Sequence, residues 1–314
     1  PIYVETSENS IQESIAQIYI QILYAAESVK VNENTLQVSI AQRDRGQELL
    51  NAGSIAKSDL AQLEAQVSTD RYQLVTAQAT LQDYKLQLKQ LLELDGENEM
   101  NVYLPALSDE NVLLPLPTKK DVYMSALTLR PEIEASKLSV EASELGIDIA
   151  KAGYLPTISL SAGIGTNHTS GSDFTFGEQV KNGWNNSIGV SVSVPIFNNR
   201  QTKSAVQKAK LQRETSLLSL LDEQKTLYKT IEGLWLDANS AQQRYAAANE
   251  KLKSTQISYD LISEQFNLGM KNTVELLTEK NNLLQAQQEQ LQAKYMAILN
   301  TQLLKFYQGD KLAL

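Results

Sequence analysis

The sequence predicts a mainly α fold: very long antiparallel helix hairpins of coiled-coil type, interrupted by one β-hairpin. Three observations carry that prediction. The prolines, Pro1, Pro105, Pro115, Pro117, Pro131, Pro156 and Pro195, leave 2–104 and everything after 195 free of the residue that breaks helix interiors. Apolar residues recur in both of those stretches at alternating steps of three and four, a helical stripe. Two short runs between them, 157–165 and 188–197, alternate instead with a period of two.

The elements follow in order. The first helix is expected over about 7–51, where Ile11, Ile15, Ile18, Ile22, Ala25 and Val29 form a stripe. The reversal Leu50-Asn51-Ala52-Gly53 carries the Asn and Gly that commonly close a helix. A second helix, 56–95, is striped by Leu60, Leu63, Val67, Asp70, Leu74, Ala77, Leu81, Tyr84, Leu88 and Leu91, with Asp70 the one polar intruder. Ala61, Ala65, Ser68, Tyr72, Val75 and Ala79 form an adjacent seam. Two seams suit a ring of helices, each touching a neighbour on either side, although a broad amphipathic face gives the same pattern.

A Pro-rich connector, 97–130, with a short helix at 121–129, leads to a helix at 131–156 and then to the two strands. The third long helix, 200–267, carries Ile231, Leu234, Ala238, Ala241, Tyr245, Ala248, Leu252, Thr255, Tyr259, Ile262 and Phe266. At about 1.5 Å per residue it would reach roughly 100 Å. A reversal at Asn267-Leu268-Gly269 gives the last helix, 272–308. A displacement of 216 residues carries Gly53 onto Gly269, Asp59 onto Glu275 and Leu60 onto Leu276, so the hairpins read as an internal repeat. The chain divides into a first hairpin (1–96), the connector (97–130), a helix leading to the strands (131–156), the strand pair (157–197, with its loop 167–183) and a second hairpin (198–314).

Composition excludes several functions. With 28 basic and 37 acidic residues the formal charge is −9, which argues against nucleic acid as a partner. The absence of cysteine removes disulfides, thiolate metal sites and cysteine nucleophiles. No run of about twenty apolar residues marks a transmembrane helix, and the opening PIYVETSENS is not a signal peptide. His168, the only histidine, sits in the polar loop as a solvated residue. There is no catalytic constellation, so neither an enzyme nor any cofactor or metal is expected.

The strands ask for a membrane. Ile158, Leu160, Ala162 and Ile164 share one face of the first strand; Ile188, Val190, Val192, Val194 and Ile196 share one face of the second. About nine or ten residues suffice to cross a bilayer at a tilt. Tyr154 and Trp184 flank the strands where interfacial aromatics sit. A soluble sheet with one buried face would alternate in the same way, but a lone hairpin is marginal and no other strand completes a sheet.

The residues Arg130-Pro131-Glu132-Ile133, Ala152-Gly153-Tyr154-Leu155-Pro156-Thr157-Ile158 and Val194-Pro195-Ile196-Phe197 resemble the TolC family of outer-membrane efflux and secretion channels, as do the Asn-x-Gly turns followed by Asp59-Leu60 and Glu275-Leu276. The resemblance spans nearly the whole chain. It implies a homotrimer whose strands build a β-barrel in outer-membrane lipid and whose hairpins build an α-barrel across the periplasm. The implied partners are a periplasmic adaptor (membrane fusion protein) and an inner-membrane pump. The family's first repeat opens with its own helix and strand pair, which this sequence lacks. Three copies would then supply six strands, below the usual minimum of about eight, so a truncated or excised chain incapable of forming the pore is expected.

The resemblance also implies a gate at the hairpin tips. Lys271 stands at a basic constriction position, with Ser58 and Asp59 as its partners on the other hairpin; Glu275 stands at an acidic position facing the bore. Phe266 replaces a hydrogen-bonding tyrosine, and Thr278 replaces a second acidic residue. Asn51, Gly53, Asn267 and Gly269 form the tips where an adaptor would dock. Local capping gives another account of the same residues: Asn272-x-x-Glu275 is a capping box, and Asp59 is a favourable charge in a first turn. Two other functions fit the sequence less well. A periplasmic adaptor would add compact β-rich domains, and a structural coiled-coil protein would leave the strands and the repeat without a purpose.

Overall fold

The computed structural model describes residues 2–94, 100–105 and 112–312. Parts of the expected connector, 97–99 and 106–111, lie outside the described residues. The elements run α1 (Ile2–Asn51), α2 (Lys57–Leu91), α3 (Lys119–Leu129), α4 (Pro131–Ala152), β1 (Thr157–Gly165), α5 (Phe176–Asn182), β2 (Asn185–Ser193), α6 (Gln201–Asn267) and α7 (Thr273–Gln308). They fall into two units, Pro1–Glu134 with Gln224–Leu314, and Ala135–Glu223.

In the first unit α1 and α2 form an antiparallel hairpin, and α7 packs on both α1 and α3. Periodicity explains the core. Ile231, Ala238, Ala241, Tyr245, Ala248 and Phe266 of the expected α6 stripe are buried, as are Leu60, Leu63, Val67 and Leu88 of α2. One layer joins Ala16, Ile20 and Leu23 of α1 to Leu291, Tyr295, Leu299 and Leu303 of α7. A second joins Val112 to Ala241, Tyr245, Ala293 and Ala297. The α1 stripe starts differently from expectation. Ile11 is exposed while Ala16, Ile20 and Leu23 are buried, because α1 is covered by α2 on one side and α7 on the other. The adjacent seam of α2 is uncovered: Tyr72 and Val75 face solvent.

The Arg130-Pro131-Glu132-Ile133 segment acquires a physical role here. Arg130 donates from Nη2 to Glu13 at 3.1 Å and from Nε to Glu132 at 3.0 Å. Its guanidinium lies 4.2 Å over the Tyr307 ring and 5.6 Å from that of Phe306. Ile133 is buried beside it. The cluster pins the start of α1, the α3–α4 junction and the end of α7 together. Burial first, then the Glu13 charge, pushes the Tyr307 hydroxyl up to about 12.

The second unit is built on β1 and β2, which pair antiparallel from Thr157↔Ser193 to Gly165↔Asn185. The register places Ile158 with Val192, Leu160 with Val190 and Ala162 with Ile188 on one face, and Ser159 with Ser191 and Ser161 with Gly189 on the other. Every one of those apolar side chains except Ala162 is more than 60% exposed, so this sheet face has no cover among the described residues. β2 differs from the expected 188–197. It begins at Asn185 and stops at Ser193, leaving Val194, Ile196 and Phe197 beyond it. Pro156 and Pro195, just past the last pair, have no N–H to extend the ladder. Tyr154 and Trp184 stand at opposite ends of the strand pair, both exposed. The loop also holds a short helix, α5, absent from the sequence reading; Thr175 and Glu178 cap its start.

Candidate gate at the hairpin tips

The two tips share the same backbone closure and the same carboxylate start to the next helix. After α1, Gly53 N–H reaches Leu50 O at 2.9 Å and Ser54 N–H reaches Leu49 O at 2.8 Å. After α6, Gly269 N–H reaches Phe266 O and Met270 N–H reaches Gln265 O, both at 2.9 Å. Each is the glycine-closed helix end that satisfies stray carbonyls, and both glycines have φ +75°. The next helix then starts on a carboxylate. Asp59 Oδ2 accepts from Ala56 N–H at 3.0 Å, and Glu275 Oε2 accepts from Asn272 N–H at 3.2 Å. Asn272 Oδ1 in turn accepts from Glu275 N–H at 2.9 Å. All of these positions are related by the 216-residue repeat.

Behind the tips lies an apolar plug of Leu49, Leu63, Phe266 and Leu276, edged by Ile55, Tyr259, Ile262 and Leu277. Polar contacts join the hairpins around it. Arg45 Nη2 donates to Asn267 O at 3.3 Å, and Gln42 Nε2 donates to the Tyr259 hydroxyl at 2.8 Å. Deeper still, Ser39 of α1, Asp70 of α2 and Lys280 of α7 bond to one another, each at most 3% exposed. Gln66 Nε2 occupies the other Asp70 oxygen at 2.9 Å. Burial depresses the Lys280 ammonium below its usual value, and Asp70 partly restores it.

The expected link from Lys271 to Ser58 and Asp59 is replaced by local pairs. Lys271 Nζ bonds Glu275 at 2.5 Å, one turn along its own chain, while Asp59 caps α2. A carboxylate four residues away is a nearer partner than one on the other hairpin. The Lys271 bond, and after it the Asn272 N–H, hold the Glu275 carboxyl below the usual carboxylate range. Phe266 sits in the plug, where a tyrosine hydroxyl would be dry. Ser58, Asn51, Gly53, Asn267 and Gly269 are exposed. Sequence reasoning missed Arg45, Gln42 and Lys280. Only Asp70 left a signal, because a carboxylate in an apolar stripe requires a buried partner.

Long hairpins with twin tips, and a strand pair bare on its apolar face, define a mainly α, hairpin-built class of fold with a small antiparallel sheet. The family follows from comparison. The model of the outer membrane efflux protein family matches residues 122–309, and the chain belongs to that family. It is 25% identical over 294 residues to the outer membrane efflux protein BepC of Brucella suis, covering 93% of this chain and 61% of that protein. It is likewise 25% identical over 311 residues to the outer membrane protein TolC of Escherichia coli, covering 94% and 60% respectively. The chain thus spans about three fifths of the length of the curated relatives it matches. Among solved structures it superposes on CusC with a TM-score of 0.81 at 19% identity, covering 98% of this chain and 70% of that one. It superposes on the CmeC outer membrane channel of Campylobacter jejuni with a TM-score of 0.77 at 19% identity, covering 100% and 66%. These likenesses establish the fold. The named relatives are channel and efflux proteins, and the outer membrane is the family's compartment.

Proposed function

We propose that the chain is part of a longer parent protein that serves as the subunit of a trimeric exit duct, a passive conduit in a tripartite efflux or secretion assembly. Its strand pair would enter outer-membrane lipid and its helices would line a periplasmic tunnel. An inner-membrane pump would supply the energy, and a periplasmic adaptor would dock at Asn51, Gly53, Asn267 and Gly269. The observation that carries this reading is the pair of equivalent tips closed over one apolar plug. A passive duct needs a seal at its entrance, and dry side chains held by a few weak polar contacts provide one that can open. Lys271, Glu275, Ser58 and Asp59 occupy the rim, exposed or half-buried, where bonds exchange without disturbing the plug. Opening would part the tip helices as discrete packed elements.

Planar-bilayer recording of the channel assembled from the full-length parent protein tests the reading. Lys271→Ala and Asp59→Ala should each raise closed-state conductance. Conductance unchanged in both would count against the rim residues as the gate.

A further inference from the structure

We propose that Asp70 and Lys280 are positioning residues of the gate: a buried ion pair that latches α7 against α1 and α2 while dry and releases it when wetted. The inference rests on the gate reading above and goes one step deeper into the hairpins. Lys280 lies about two helical turns beyond the start of α7, on the far side of the plug formed by Leu49, Leu63, Phe266 and Leu276. Its ammonium bonds Asp70 and Ser39, so three helices meet at one charge pair. Lys280 and Asp70 are 3% and 2% exposed.

Stability alone gives no reason for such a pair. A buried ion pair generally contributes no more than apolar side chains of similar volume, because both charges must be desolvated. The sequence itself shows the apolar solution: the repeat places Ala286, fully buried, at the position equivalent to Asp70. It places Glu64, exposed, at the position equivalent to Lys280. The pair therefore belongs to one hairpin crossing and not to the repeat. An ion pair differs from an apolar contact in the separated state, where water solvates both charges but penalises bare hydrocarbon. Water is close at hand. An open groove of about 360 Å³, in which Asn32, Gln66, Gln73 and Asn281 stand among apolar residues such as Ala77 and Leu284, has Asp70 in its lining. Once the tips part and α7 shifts, that groove hydrates the carboxylate and the wall separates without exposing an apolar seam.

Two variants have opposite signs. In Lys280→Met the buried Asp70 carboxylate keeps only the neutral donors Ser39 and Gln66 and loses its countercharge, so the wetted, open arrangement gains and closed-state conductance rises several-fold. In the double variant Asp70→Leu with Lys280→Met the seam becomes apolar. Its thermal midpoint returns to that of wild type or above, while openings under the same applied voltage become several-fold rarer than in wild type. A purely structural pair would lower the midpoint in the single variant and leave gating alone. Lys280→Met with wild-type conductance, or a double variant that opens as often as wild type, overturns the proposal. Lys271→Ala, recorded alongside, reports separately on the rim. A leaky Lys280→Met beside a tight Lys271→Ala would keep the latch and reject the rim as the gate.

Discussion

Replacing Gly53 or Gly269 with alanine isolates the backbone contribution of the tips. Both glycines sit at φ +75°, and a Cβ added to either meets nothing within 4 Å. No clash contributes, so the cost is that of holding an L-residue in the left-handed region, about 1–2 kcal/mol. Alanine also stiffens the unfolded chain, which offsets about 0.4–1 kcal/mol. The net loss is therefore about 1 kcal/mol at each tip, read as a shift in urea midpoint at unchanged slope. Asparagine tolerates this region better, so Gly53→Asn and Gly269→Asn should lose clearly less than the alanine variants. The repeat makes the stronger demand: the two alanine variants should agree within about 0.5 kcal/mol, the ordinary scatter for independent sites. An alanine variant without cost, an asparagine variant as costly as alanine, or two tips of unequal sensitivity would refute the claim that both turns rest on the same αL closure.

Other expectations follow from neighbouring contacts. Arg130→Met strands Glu13 and Glu132 in a mostly buried site; breaking such a pair costs about 3–5 kcal/mol, visible as a large drop in thermal midpoint, whereas Arg213→Met, half-buried and paired with a largely solvated Glu144, should cost far less. The lowered Glu275 carboxyl sets a pH dependence at the second tip. A carboxyl whose folded value is depressed contributes fully above its unfolded value of about 4.5, and the contribution is lost as pH falls through the lower folded value. Protection of the Asn272 amide, measured against its intrinsic exchange rate at each pH, should therefore hold at about pH 5, fall under stronger acid, and lose that acid step in Glu275→Gln.

Local chemistry was legible in the sequence, and distant partnership was not. Proline placement and the three-four rhythm located all four long helices, and the paired Gly53 and Gly269 located both tips, because each is decided by residues close together along the chain. The end of β2 was read too late. Alternation continues through Ile196, but strand pairing depends on hydrogen bonds that Pro156 and Pro195 cannot extend. The helix α5 hid in a polar loop because seven residues are too few for a periodic signal. Asp70 stood out as an intruder, yet its partner Lys280 lies 210 residues away and looked like one more surface lysine. Arg45, whose acceptor is the backbone oxygen of Asn267, offered nothing to find. The expected bond between Lys271 and Asp59 came from resemblance, and Glu275 is the nearer partner.

The central claim is that the tips form the gate, and the absence of cysteine allows a direct test. Arg45→Cys and Asn267→Cys place the sole thiols of these 314 residues where the hairpins already touch across a 3.3 Å hydrogen bond. A short reducible thiol linker between them should hold the assembled channel at its closed conductance under voltage, and reductant should restore opening. A linked channel that opens as freely as the unlinked one would place the gate elsewhere and contradict the account.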